Sequence, residues 1–127
     1  NYEPGRHSVQ LYDMLEPYAD AMIGHHPHVI QRVEQTNGKI RAYSLGGVNM
    51  SESADYVAKD TDFQYSLVLH LTIEKEKDAT KITNVEYSVL KACEDASHYV
   101  MVRLITPDDQ RSASRIEEIT AGINSMN

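Results

Sequence analysis

At 127 residues, with 41% hydrophobic and 24% charged side chains, the chain has the length and composition of one ordinary globular domain. Its net charge of −7, with 12 basic residues against 19 acidic ones and no basic block, gives no electrostatic footprint for nucleic acid. No run approaches the roughly 20 apolar residues that cross a bilayer, and one cysteine, Cys93, rules out an internal disulfide. The chain opens at Asn1 rather than methionine and carries no signal-peptide pattern, so the expectation is a chain trimmed or excised from a longer protein.

From Arg6 to Glu16 the apolar residues Val9, Leu11, Tyr12 and Leu15 fall largely on one helical face. Pro17 disfavours helix at the residue before it and predicts an end near Glu16. "ADAMI" (19–23) reads as a short buried strand closed by Gly24. "HVIQRVE" (28–34) reads as extended, and "TNGK" (36–39) as a turn with Asn37-Gly38 as its hairpin signal. "IRAYSL" (40–45) is the next strand, ended by Gly46-Gly47. Residues 48 to 62 are polar and irregular, predicting a long loop.

"QYSLVLHLTI" (64–73) alternates: Tyr65, Leu67, Leu69, Leu71 and Ile73 point one way, and Gln64, Ser66, His70 and Thr72 the other. "EKEKDATK" (74–81) reads as a solvated turn, and "ITNVEYSVL" (82–90) and "HYVMVRLI" (98–105) as two further strands of an antiparallel meander. A final helix is predicted after Thr106 as N-cap, with Pro107 at its first position and Asp108 and Asp109 complementing its N-terminus. Ile116, Ile119 and Ile123 recur at helical spacing and read as a core-packing stripe. The fold class is therefore mixed α/β (α+β): a largely antiparallel sheet flanked by two helices.

Three histidines, His25, His26 and His28, surround Pro27 directly after the first strand. Neutral imidazole suits zinc, iron, manganese and related ions. The His26-X-His28 spacing lets two rings converge, with Pro27 stiffening the link and Gly24 allowing a sharp turn. Ligand sites in open α/β sheets favour this position beyond the carboxyl ends of strands. Two histidines are fewer than the three protein ligands usual for catalytic zinc. The Asp-X-His and Gly-Asn-His patterns that would complete a two-metal hydrolytic centre do not occur in this sequence. The bland alternative is a loop of solvated histidines.

"ADAMIGHHPHVIQRVE" followed by "GKIRAYSLGG" resembles the capsule-synthesis CapA-type family, linked to poly-gamma-glutamate capsules and similar to calcineurin-like metallophosphatases. "YEP" and Gln10 upstream resemble the segment after the family's His-Trp-Gly motif. The likeness covers roughly the first 50 residues well and the later strands loosely. It implies that this chain is the C-terminal half of a four-layer metallophosphatase-like sandwich, a single domain fragment over residues 1–127. It also implies that His26 and His28 are metal ligands of a centre holding two divalent ions (manganese, zinc or iron). His25 lies beside them as the catalytic or substrate-phosphate histidine, and Tyr43 and Ser44 stand on the substrate side. The remaining ligands would come from the N-terminal half of the same domain, so this chain alone would be inactive. One departure is that Gly47 and Val48 stand where the family has asparagine and an aromatic.

The resemblance further implies a metal-dependent phosphoesterase of the cell envelope, outside the cytoplasm or at the membrane, acting on capsule polymer or a phosphoester. A non-catalytic polymer-binding or assembly protein is the alternative. His70 and His98 read as ordinary surface or core histidines, His7 reads as either solvated or near the cluster, and Ser44 has no neighbour at a motif spacing that would activate it as a nucleophile. Glu34 could orient a ligating histidine, though an exposed strand charge is the simpler reading. Asn49-Met50-Ser51 matches a glycosylation sequon.

Overall fold

The computed structural model describes residues 3–48, 61–121 and 123–125. Helix α1 (Arg6–Leu15) stops where the sequence places its end, and Glu16–Tyr18 continues as a single 3-10 turn with Pro17 at its start. The helix buries Tyr12 against Met22 and Tyr43, with Val9 and Ala19 packed around them. Its C-terminal end is held by Lys39, whose ammonium donates to the carbonyls of Glu16 and Ala19.

Strands β1 (Ala21–Ile23), β2 (Val33–Thr36) and β3 (Lys39–Ala42) form a three-stranded sheet in the order β1-β3-β2. The pair β1–β3 is parallel and β2–β3 antiparallel. The β2–β3 hairpin turns through Asn37 (φ 53°) and Gly38 (φ 74°). Two successive positive φ angles are what an Asn-Gly turn supplies, and their twist matches that of the strands.

Strands β4 (Tyr65–Glu76), β5 (Ala79–Glu94) and β6 (Val100–Leu104) are the expected antiparallel meander. A short strand β7 (Asn124–Ser125) pairs parallel to β5. Residues 74–81 differ from the sequence expectation, because the turn is only Lys77-Asp78 and the rest is strand. Glu74 lies opposite Lys81 in the ladder, an arrangement of opposite charges that suits an exposed two-stranded ribbon.

The single expected sheet is thus two sheets, joined at one seam. Leu67 N donates to Leu45 O at 2.8 Å, and Gly46 bridges Ser66. A Cβ at Gly46 would lie 2.4 Å from the Tyr65 carbonyl, and its φ is 82°, so only glycine lets the backbones approach here. One core spans the seam. Ile30 from the segment before β2, with Val33, Ile40 and Ala42 from the first sheet, meets Tyr65, Leu67, Val85, Tyr87 and Val89 from the second. Alternation along β3 decides the layering: Ile40 and Ala42 face this core, and Tyr43, just past the strand, faces α1.

Helix α2 (Gln110–Ile119) joins the same core through Ile116, with Ile119 partly buried and Ile123 buried just beyond. Its start differs from the expected cap. Pro107–Asp109 form a 3-10 turn, closed by Asp109 N donating to Thr106 O at 2.9 Å. The Thr106 backbone N and hydroxyl in turn donate to Asp109 Oδ2 at 2.9 and 3.2 Å. Asp109 is buried because Lys91 and Arg103 reach it from the sheet. The polar loop expected over 48–62 lies almost wholly outside the described residues, as does the sequon at Asn49.

Candidate metal centre

The histidine loop leaves the sheet at the carboxyl end of β1. Gly24 N donates to Ala42 O at 2.7 Å, extending the β1–β3 ladder by one residue. A Cβ on Gly24 would lie 2.5 Å from both the Tyr12 hydroxyl and the Tyr43 carbonyl, so a side chain has no room at the root. On the far side the loop is anchored by Val29 and Ile30, which are 1% and 4% exposed. Gln31 N donates to Ser44 O at 3.0 Å, and Gln31 Nε2 to Glu3 O at 3.1 Å.

Between these anchors His25, His26 and His28 are exposed. His26 and His28 both have positive φ, 110° and 61°. Such angles are uncommon for residues with a Cβ and are kept only where the surroundings fix them. The two residues flank Pro27, and their rings meet edge-on with centroids 6.3 Å apart and planes at 67°. This is a short, twice-anchored loop that carries two imidazoles side by side in solvent.

The donor chemistry fits a divalent ion of the zinc, manganese or iron group, which accepts neutral imidazole nitrogen. The donor count is partial. Among the described residues no group of three or more His, Cys, Asp or Glu side chains is placed to hold a metal. Two imidazoles are fewer than the three protein ligands usual for a catalytic zinc site.

The other sequence candidates sit elsewhere. Tyr43 is 4% and Ser44 0% exposed. The Tyr43 ring stacks on Tyr12 at 4.6 Å between centroids, with the Arg32 guanidinium 5.5 Å from its centroid. Ser44 Oγ accepts from Gly46 N at 3.3 Å. Both residues underlie the loop rather than face solvent beside it. Glu34 pairs with Arg32 at 2.9 Å. His7 is exposed on α1, while His70 lies on β4 and His98 in the turn between β5 and β6. His70 Nε2 meets Ser88 Oγ at 2.9 Å, and His98 meets Glu94.

Sequence reading did not single out Arg41. It lies on β3, facing α1, and binds Asp13 and Glu16 at 2.7 Å each. Its guanidinium pKa is raised, first by the hydrogen bond to Asp13 and then by Tyr43 and Glu16, which together outweigh the cost of burial. No local pattern signals this, because the partners are far away in the chain.

Residues 1–52 match the family model of the bacterial capsule synthesis protein PGA_cap. The PGA_cap segment contains α1, the whole three-stranded sheet and the histidine loop, and within the described residues it stops short of the meander and α2. No curated protein and no solved structure gives a match. The CapA-type resemblance of the sequence and the capsule-synthesis match therefore fall on the same residues, those that build the loop and its two anchors. Among the described residues no helix is long and apolar enough to cross a membrane.

Proposed function

We propose that this chain supplies the histidine arm of a divalent-metal centre in a capsule-synthesis protein of the cell envelope, and that the complete centre hydrolyses phosphoesters. One observation carries the reading: His26 and His28 stand ring to ring, exposed, at the carboxyl end of β1, inside the segment that matches PGA_cap. His26 and His28 would hold the metal through neutral ring nitrogens, and His25 beside them is available to substrate. A bound divalent pair supplies Lewis acidity toward phosphoryl oxygens. The chain's own part is to present two donors in a fixed direction, so that little loop entropy is lost when the ion binds.

The remaining ligands would come from a preceding part of the same domain. The test is manganese- or zinc-dependent hydrolysis of a generic phosphodiester and monoester by the longer protein that contains this chain, against its His26→Ala/His28→Ala variant. Loss of both hydrolysis and bound metal in the variant supports the reading. A wild-type protein that binds metal through these histidines but hydrolyses neither ester supports instead a binding or assembly protein for capsule polymer.

A further inference from the structure

The root of the histidine loop hangs on one carbonyl with two donors. Ala42 O accepts from Gly24 N at 2.7 Å and from the Tyr12 hydroxyl at 3.1 Å. A backbone carbonyl has two lone pairs, so both bonds can form together. Tyr12 comes from α1, 30 residues away from Ala42 in the chain, and its ring is fixed by the stack on Tyr43. Its hydroxyl also limits the space beside Gly24, where a Cβ would approach it to 2.5 Å. The same phenol therefore bonds the carbonyl on β3 that holds Gly24 and fills the space beside Gly24, where β1 becomes the loop. Burial, and after it the neighbouring Tyr43, raise the Tyr12 pKa, which keeps the hydroxyl a donor.

We infer that Tyr12 is a positioning residue for the His26–His28 pair: through the Ala42 carbonyl and the Gly24 backbone, its hydroxyl sets the direction in which the loop leaves the sheet. The inference rests on reading the pair as metal ligands, but the contact it invokes can be tested apart from metal. Partners hydrogen-bonded directly to metal ligands typically change metal affinity by about 10–100-fold when altered; Tyr12 acts one contact further out, so the low end of that range is expected.

The experiment uses Tyr12→Phe, which keeps the ring and its stack and removes only the hydroxyl. Amide exchange is followed by NMR in the whole chain, and Zn2+ is titrated into wild type, Tyr12→Phe and His26→Ala/His28→Ala. The expected result is a loss of Gly24 amide protection several times larger than that at Leu67, whose amide is bonded to Leu45 across the core seam. Zn2+ affinity should fall about tenfold. Equal loosening of Gly24 and Leu67 would show a general stability role and overturn the inference, as would unchanged Zn2+ affinity in Tyr12→Phe. If wild type and the double-histidine variant bind Zn2+ alike, the metal reading fails, and the Gly24-to-Leu67 comparison still decides whether the hydroxyl holds the loop root.

Discussion

Lys91 Nζ and Asp109 Oδ1 lie 2.9 Å apart, tying the C-terminal part of β5 to the turn that starts α2. Asp109 is 4% exposed at its side chain, and its other oxygen accepts from Arg103 at 2.9 Å and from Thr106. Lys91 in turn lies 5.5 Å from the centroid of the Tyr65 ring. Removing the carboxylate leaves two cations and a backbone N–H without it. Asp109→Ala should cost about 3–5 kcal/mol, toward the lower end because Arg103 is 39% exposed and can turn to solvent. Urea denaturation of the two proteins measures this as a lower midpoint.

The same carboxylate should give the protein an acid limb. Burial pushes the Asp109 pKa up, but hydrogen bonds from Arg103, from the Thr106 backbone and from Lys91 outweigh it and hold the carboxyl well below its ordinary range. The folded state then binds fewer protons than the unfolded one at pH values between the two pKa values. The stabilisation is complete above the unfolded carboxyl value of about 3.9 and is lost as pH falls through that value toward the folded one. Urea midpoints from pH 7 down to pH 3 should fall more steeply in wild type than in Asp109→Asn. Parallel curves would mean that the cluster does not titrate as described.

Gly24→Ala should destabilise the protein by about 2 kcal/mol or more. The added carbon meets the Tyr43 carbonyl at 2.5 Å as well as the Tyr12 hydroxyl. A side chain can swing away, but a carbonyl in the continuation of β3 cannot do so without breaking the bond from Gly24 to Ala42. Thermal denaturation gives the size of the effect. The His26 and His28 ring resonances should shift in the same variant, because the loop root has moved.

Ile40→Ala tests the core where the layers meet. Ile40 is 0% exposed and belongs to the cluster shared by both sheets. The loss of transfer energy plus a cavity predicts a cost of about 2–5 kcal/mol, read from chemical denaturation monitored by two probes. Coincident transitions would confirm that the two sheets unfold as one unit.

Local chemistry was legible in the sequence where it decides the structure. Asn37-Gly38 fixed the hairpin, Pro17 the end of α1, and the isoleucine spacing the buried face of α2. The histidine loop was legible for the same reason, since Gly24 and Pro27 act on their own backbone. Contacts between distant residues were not legible. Asp109 read only as a charge complementing a helix N-terminus, because nothing nearby shows that Lys91 and Arg103 converge on it. Ser66 and Gln64 were assigned to a less apolar face, yet both are buried, because the seam at Gly46 covers that end of β4. Glu74 to Lys81 read as loop from charge, although opposite charges facing across a ribbon stabilise strands. The sequence also held no clue to Tyr12 beyond its place on the inner face of a helix.

The central claim is that His26 and His28 act together as metal donors. It is tested most directly by titrating Zn2+ into this chain while following the ring resonances of all six histidines. The account predicts saturable binding in which His26 and His28 shift together, His7, His70 and His98 stay unchanged, and His26→Ala/His28→Ala abolishes the response. Binding that persists in that variant, or shifts spread over all the histidines alike, would contradict it.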